Sequence, residues 1–86
     1  MDDKLIILTE YVKQSTNRTK VLKTIGINIL KPTDITKKTN IHINNVSRSL
    51  KQLKEKGLVQ ILNPESKRGR LYKITEEGKR ILKNLK

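Results

Sequence analysis

Between Ile43 and Lys56 the apolar residues Val46, Leu50 and Leu53 recur at the spacing that lines one face of an α-helix, and Gly57 follows at the position of a left-handed stop. Leu58 comes next, where it can reach back to Leu53 and close a Schellman-type ending. At 100° per residue the opposite face carries Asn44, Arg48, Lys51 and Glu55, with Asn45, Ser47 and Gln52 on its flanks. That face is polar, mostly basic and about 20 Å long at 1.5 Å per residue. The stretch is therefore a helix buried along one stripe, ended at a defined residue, with cations on the side away from the core.

The chain enters this helix through a tight turn. Pro32 and Thr33 open a short helix over 33–40, with Thr33 predicted as its N-cap and Asp34 in the first turn, where the helix dipole favours a carboxylate. It ends near Asn40, and asparagine tolerates the left-handed conformation better than any other non-glycine residue. His42 then occupies the N-cap position of the helix over 43–56. Two helices joined this tightly form a helix-turn-helix.

On the N-terminal side, Leu5, Leu8 and Val12 recur at helical spacing with Ile6, Ile7 and Tyr11 beside them, predicting a helix over 4–14 with a wide apolar face. A strand through Leu5 to Leu8 is the alternative. Ser15, Thr16 and Asn17 are cap candidates for a helix over 17–26 that carries Val21, Leu22 and Ile25 and stops at Gly26. Ile27, Ile29 and the Lys31-Pro32 break predict a very short strand. On the C-terminal side, Leu58 to Leu62 and Leu71 to Ile74 read as the arms of a hairpin over 58–74, with Tyr72 packed beneath it. Between the arms, Asn63 to Arg70 combines turn residues with Lys67, Arg68 and Arg70, a flexible basic tip. Thr75 caps a final helix over 75–85, with Glu76 and Glu77 in its first turn and Lys79, Arg80, Lys83 and Lys86 after them, as the macrodipole favours. Ile81, Leu82 and Leu85 form its apolar side.

Composition narrows what such a chain does. Its 86 residues make one small domain, at about 100–200 residues per domain. Phe, Trp and Ala are absent, so Ile and Leu supply nearly all of the core. A domain of this size buries only about 60 % of its unfolded surface, and without cysteine no disulfide supplements it, so dimerisation is a plausible addition. The formal net charge is +12, distributed as +2 over residues 1–30, +5 over 31–63 and +5 over 64–86, which places the basic surface in the last two thirds. The longest apolar run, Leu5 to Leu8, is far short of the roughly 20 residues of a membrane helix and follows two aspartates rather than a basic leader. A soluble intracellular protein is expected, cytoplasmic and associated with the nucleoid. The carboxylates are scattered, His42 is the one histidine, and neither a nucleophile–base pair nor a glycine-rich phosphate loop is present. An enzyme is not expected, nor is a cofactor or a metal.

Helix, short strand, helix-turn-helix, hairpin and terminal helix is the order of a winged helix-turn-helix domain. Thr39-Asn40-Ile41-His42 running into Val46-Ser47-Arg48-Ser49-Leu50-Lys51-Gln52-Leu53-Lys54-Glu55-Lys56-Gly57-Leu58-Val59 resembles the turn and recognition helix of MarR-type and ArsR-type regulators. Leu62-Asn63-Pro64, Lys67-Arg68-Gly69-Arg70-Leu71-Tyr72 and Ile74-Thr75-Glu76-Glu77-Gly78 resemble the wing and exit of small archaeal winged-helix proteins. The resemblance covers roughly residues 17–82. It departs from the pattern at Asn40, where the turn usually has glycine, and at Thr36, where a small alanine usually lets the two helices approach. It shows neither the long dimerising helices of full-length MarR proteins nor the metal-sensing cysteines of the ArsR kind. The fold it implies is mainly α with a small β-hairpin wing, a three-helix core with flanking N- and C-terminal helices.

What the resemblance implies is sequence-specific binding of double-stranded DNA for transcriptional control, with helix 43–56 in the major groove and the wing tip, 64–70, at the minor groove or backbone. The side chains suit that role. Arg48 can bond G O6/N7 in bidentate fashion and Asn44 or Asn45 can pair with A N6/N7. Ser47 and Lys51 suit phosphates, as do Thr33 and Lys37 from the preceding helix and His42 at the cap. Lys67, Arg68 and Arg70 suit a narrow minor groove, whose negative potential attracts arginine. The surplus apolar surface of the first helix points to a homodimer made by the N- and C-terminal helices, with two recognition helices about 34 Å apart or a multiple of it. No effector pocket is evident. The alternatives are a winged-helix module that docks an acidic protein in a larger assembly and a non-specific architectural or RNA-binding protein. Two tyrosines and no Phe or Trp argue against single-strand recognition by stacking.

Overall fold

The computed structural model describes residues 3–85; Asp2 and Lys86 lie outside them. The elements are α1 (Asp3–Lys13), α2 (Thr16–Ile25), α3 (Pro32–Thr39), α4 (Ile43–Glu55), β1 (Val59–Ile61), β2 (Tyr72–Ile74) and α5 (Glu76–Asn84). This is the winged helix-turn-helix order, mainly α with one antiparallel hairpin. The strand alternative for Leu5 to Leu8 is excluded, because those residues lie within α1.

Local chemistry fixes most of the boundaries. Ser15 caps α2, its Oγ accepting the Arg18 N–H at 3.1 Å. Thr75 caps α5 in the same way, accepting the Gly78 N–H at 3.1 Å. At the end of α4 the Leu58 N–H donates to the Leu53 carbonyl and the Gly57 N–H to the Lys54 carbonyl, both at 2.9 Å. These are the paired bonds of a Schellman motif, and Gly57 has the positive φ of 75° that it requires.

Three expectations need correction. Thr33 is not the cap of α3: the helix begins at Pro32, whose fixed φ and missing N–H suit the first helical position, so Lys31 becomes the N-cap residue. The Asp34 carboxylate accepts the Lys31 N–H at 3.0 Å. The strand predicted around Ile27 to Lys31 shrinks to a bridge between Leu30 and Tyr72, closed by bonds of 3.1 and 2.8 Å. Ile27 has no strand to pair with and stays 84 % exposed. The hairpin arms are also shorter than predicted, because Leu58 is used by the helix ending; Val59 pairs with Ile74 and Ile61 with Tyr72.

The core is aliphatic. Val46, Leu50 and Leu53 of α4 are fully buried, as are Val21, Leu22 and Ile25 of α2, Ile35 of α3 and Ile81 of α5. Burying each such side chain contributes about 1.5–3 kcal/mol relative to exposure. Leu58, Val59, Ile74 and most of Tyr72 extend this core under the wing. Leu8 and Val12 bring α1 onto it, while Ile6 and Ile7 remain outside, Ile7 at 66 % exposure. One close approach ties α5 to the hairpin entry. A Cβ placed on Gly78 would lie 2.1 Å from the Leu58 carbonyl oxygen and 2.6 Å from Ile74 Cγ1, so only glycine fits there. No helix among the described residues is long and apolar enough to cross a membrane.

Candidate nucleic-acid interface

The turn between α3 and α4 depends on Asn40, whose φ and ψ of 62° and 12° are left-handed and whose N–H donates to the Thr36 carbonyl at 2.8 Å. Two residues later the His42 ring caps α4, Nδ1 accepting the Asn44 N–H at 3.1 Å. That bond leaves Nε2 as the remaining polar atom of the ring. On α3, Thr36 Oγ1 is buried without a hydrogen-bond partner. Thus the residue that differs from the usual alanine carries an unsatisfied buried hydroxyl on α3.

The outer ridge of α4 carries Asn44, Arg48 and Lys51, all exposed, with Asn45 half-buried beside them. On one flank of that ridge a groove of about 740 Å³ separates α4 from the wing. Lys31, Lys51, Lys54, Lys67 and Arg70 wall it, Thr33 and Ser47 add hydroxyls, and Pro32, Ile61 and Tyr72 supply apolar surface. No carboxylate lines it. Among the described residues the ion pairs join Lys79 to Glu76 at 3.3 Å and Arg80 to Glu77 at 3.4 Å, both within α5, so none neutralises the groove. Five like charges around one concavity focus positive potential there.

The wing tip is laced internally rather than loose. The Asn63 carboxamide accepts the Leu71 N–H at 2.7 Å and donates to the Gly69 carbonyl at 3.3 Å. Arg70 Nε donates to the Ser66 carbonyl at 2.9 Å, and Ser66 Oγ donates to the Arg68 carbonyl. These bonds give the tip an ordered shape and occupy one of Arg70's donors, while Lys67 and Arg68 stay exposed. Gly69 rests near the Lys31 side chain and closes one end of the groove; a Cβ there would sit 3.6 Å from Lys31 Cδ.

Of the residues singled out from sequence, the groove brings together Thr33, Ser47, Lys51, Lys67 and Arg70. Asn44, Asn45 and Arg48 belong to the adjoining helix surface, Lys37 is exposed on α3, His42 is at the cap and Arg68 at the tip, none of them lining the groove. The groove also holds Lys31 and Lys54, to which the sequence assigns no role. The helical repeat could have found Lys54, which follows Ser47 and Lys51 along one flank of α4. Lys31 had no local signal, because the wing tip alone makes it part of a wall.

A family profile described as winged helix-turn-helix matches residues 7–86. No curated protein matches the sequence. Among solved structures, the reduced form of MarR from E. coli aligns with a TM-score of 0.72 and 31 % identity, over 94 % of this chain and 63 % of that one. A mutant E. coli MarR complexed with operator DNA aligns at 0.70 and 31 %, over 94 % and 61 %. The adhesin competence repressor AdcR of Streptococcus pyogenes shares the fold, at 0.72 and 21 % identity, over 92 % of this chain and 60 % of its own. The chain thus spans less than two thirds of the length of these proteins.

Proposed function

The chain belongs to the winged helix-turn-helix family, and from that membership and the geometry of α4 and the wing we propose that it is a sequence-specific, double-stranded-DNA-binding transcriptional regulator. The observation that carries this is the groove between α4 and the wing, where five cations meet with no carboxylate among the lining residues. A polyanion that fits against a helix ridge and a hairpin at once is a duplex, and the E. coli MarR solved with operator DNA has the same fold over most of this chain. Family membership also agrees with the expectation that the chain is not an enzyme.

In this reading α4 enters the major groove and Arg48 reads a guanine edge, with Asn44 or Asn45 reading an adenine. Lys31, Lys51, Lys54, Ser47 and Thr33 hold phosphates, joined by Lys37 and by His42 through Nε2. Lys67, Arg68 and Arg70 follow the adjacent minor groove or backbone. The protein acts as a homodimer through α1 and α5. Ile6 and Ile7 stand exposed on α1, and a hollow of about 260 Å³ beside them is lined by Ile6, Thr9, Glu10 and Lys13 together with Asn84 of α5. A DNA-binding role of this kind is exercised in the cytoplasm, on the nucleoid.

Selection of bound sequences from random duplexes at about 150 mM salt tests this, because non-specific binding is already weak at that ionic strength. Enrichment of an inverted repeat is expected. Strong salt-sensitive binding without enrichment would replace specific regulation by architectural binding, and absence of binding would replace DNA by a protein partner.

A further inference from the structure

The flank of α4 away from the groove is held by a different device. At 100° per residue Ser47, Lys51 and Lys54 fall on the wing side of the helix, whereas Gln52 and Lys56 fall on the other. There the half-buried Arg18, in the first turn of α2, spends its guanidinium on two elements at once. Nε and Nη2 donate to the Tyr11 carbonyl of α1 at 3.1 and 2.7 Å, and Nη1 donates to Gln52 Oε1 of α4 at 3.0 Å. The guanidinium carbon lies 4.0 Å from the centre of the Tyr11 ring, and Lys56 Nζ, at the end of α4, lies 5.0 Å from the same centre. Tyr11 O belongs to the last turn of a helix, where carbonyls lack partners along the helix itself, so a charged donor is well placed there.

Three donors of one planar group are therefore fixed in direction between the last turn of α1 and the third turn of α4. Lysine could not reproduce this, because it offers a point charge on a flexible stem rather than a fork. Elsewhere α1 packs chiefly on α2 and α5, so the Arg18 fork and the Lys56–Tyr11 contact are polar ties between α1 and the helix that meets DNA.

We propose that Arg18 is a positioning residue that fixes the angle between α1 and α4, and thereby sets the half-site spacing that the dimer accepts. The inference rests on the proposed dimeric reading of duplex DNA. If α1 makes the dimer, any pivot between α1 and α4 is doubled by the two-fold axis and appears as a change in the distance between recognition helices. Half-site spacing on the duplex follows that distance. An Arg18 that served only to cap α1 would affect stability and leave spacing preference alone.

The test measures affinity of the full chain for inverted repeats whose half-site separation changes one base pair at a time, and for an isolated half-site, with sedimentation to follow dimerisation. Gln52→Met cuts the α4 end of the tie and leaves both bonds to Tyr11, Arg18→Met removes both ends, and Gln52→Glu keeps an acceptor. For the wild type a sharp optimum is expected. In Gln52→Met and Arg18→Met the preference for the optimum over its one-base-pair neighbours falls about tenfold, the size of effect that a hydrogen bond to a charged group supports, while half-site affinity is kept. Gln52→Glu keeps the wild-type profile. An unchanged spacing profile in a folded, dimeric Gln52→Met overturns the role of Arg18 and leaves the DNA-binding reading standing. A wild-type chain that binds no duplex, or binds without dimerising, overturns that reading and this inference together. Should Arg18→Met fail to fold, Gln52→Met decides alone.

Discussion

Replacing Lys54 by glutamine tests the proposed phosphate-binding role of the groove through the salt dependence of affinity. Lys54 is exposed and shares the groove with Lys31, Lys51, Lys67 and Arg70. Each phosphate neutralised by such a cation releases counterions, and log K falls with log salt at a slope of about −0.9 per contact. The five groove cations together contribute about −4.5 to a protomer's slope, a share that weakens binding roughly 500-fold between about 50 and 200 mM salt. With four groove contacts that share falls to about −3.6 and roughly 150-fold. Fluorescence anisotropy of a labelled duplex, titrated at several salt concentrations, resolves that difference. Lys23→Gln, which removes an exposed charge from α2 outside both the groove and the proposed dimer helices, serves as the control and should leave the slope where it was. A slope unmoved by Lys54→Gln would mean that no phosphate lies against that wall, and a wild-type slope of about −1 per protomer would refute the groove as a duplex site altogether.

Arg48→Ala is expected to cost about 1–3 kcal/mol on the selected site and to relax preference at one base position, as competition with single-base variants would reveal. Arg68→Ala, by contrast, should weaken all sequences alike and lower the salt slope by about one; equal and uniform losses from both would sink the division between reading and positioning. Gly78→Ala should destabilise the fold by about 1–3 kcal/mol or more, because its new methyl meets the backbone of Leu58 rather than a movable side chain, and a urea midpoint as high as wild type would contradict that packing. Thr36→Val should raise stability by about 1 kcal/mol, since it keeps the shape and removes a buried hydroxyl that has no partner; a lowered urea midpoint would show that the hydroxyl is satisfied in solution.

These positions differ in how visible they are before folding. Ser15, His42 and Thr75 announce helix starts because a cap bonds to an N–H only two or three residues away. Asn40 and Gly57 announce ends for an equally local reason, a backbone conformation that few residue types accept. Two local signals compete at α3: Thr33 is a good cap, but Pro32 before it is a better first helical residue, and the helix starts there. The strand expected at Ile27 and Ile29 fails for another reason. Apolar alternation favours a strand, but a partner edge is required, and the chain brings Tyr72 within reach of Leu30 alone.

The site divides along the same line. A ridge on a single helix follows from the helical repeat, so Asn44, Arg48 and Lys51 could be grouped from sequence, whereas a groove is made by two elements and its membership depends on how they meet. Lys31 belongs to the groove because an internally bonded wing tip, held by Asn63, Ser66 and Arg70, folds down beside it. Gly78 and Arg18 are invisible for the same reason, one answering a carbonyl in the hairpin entry and the other a carboxamide on α4. The two flanks of α4 are consequently set by contacts of different reach. On the wing side, like charges repel unless a polyanion fills the space, so that flank favours ligand over closure. On the α1 side, a guanidinium already has its partners, so that flank favours a fixed angle. An α4 constrained on one side and electrostatically open on the other is stiff in orientation and responsive in affinity, and the Gln52 and Lys54 variants separate those two properties within one helix.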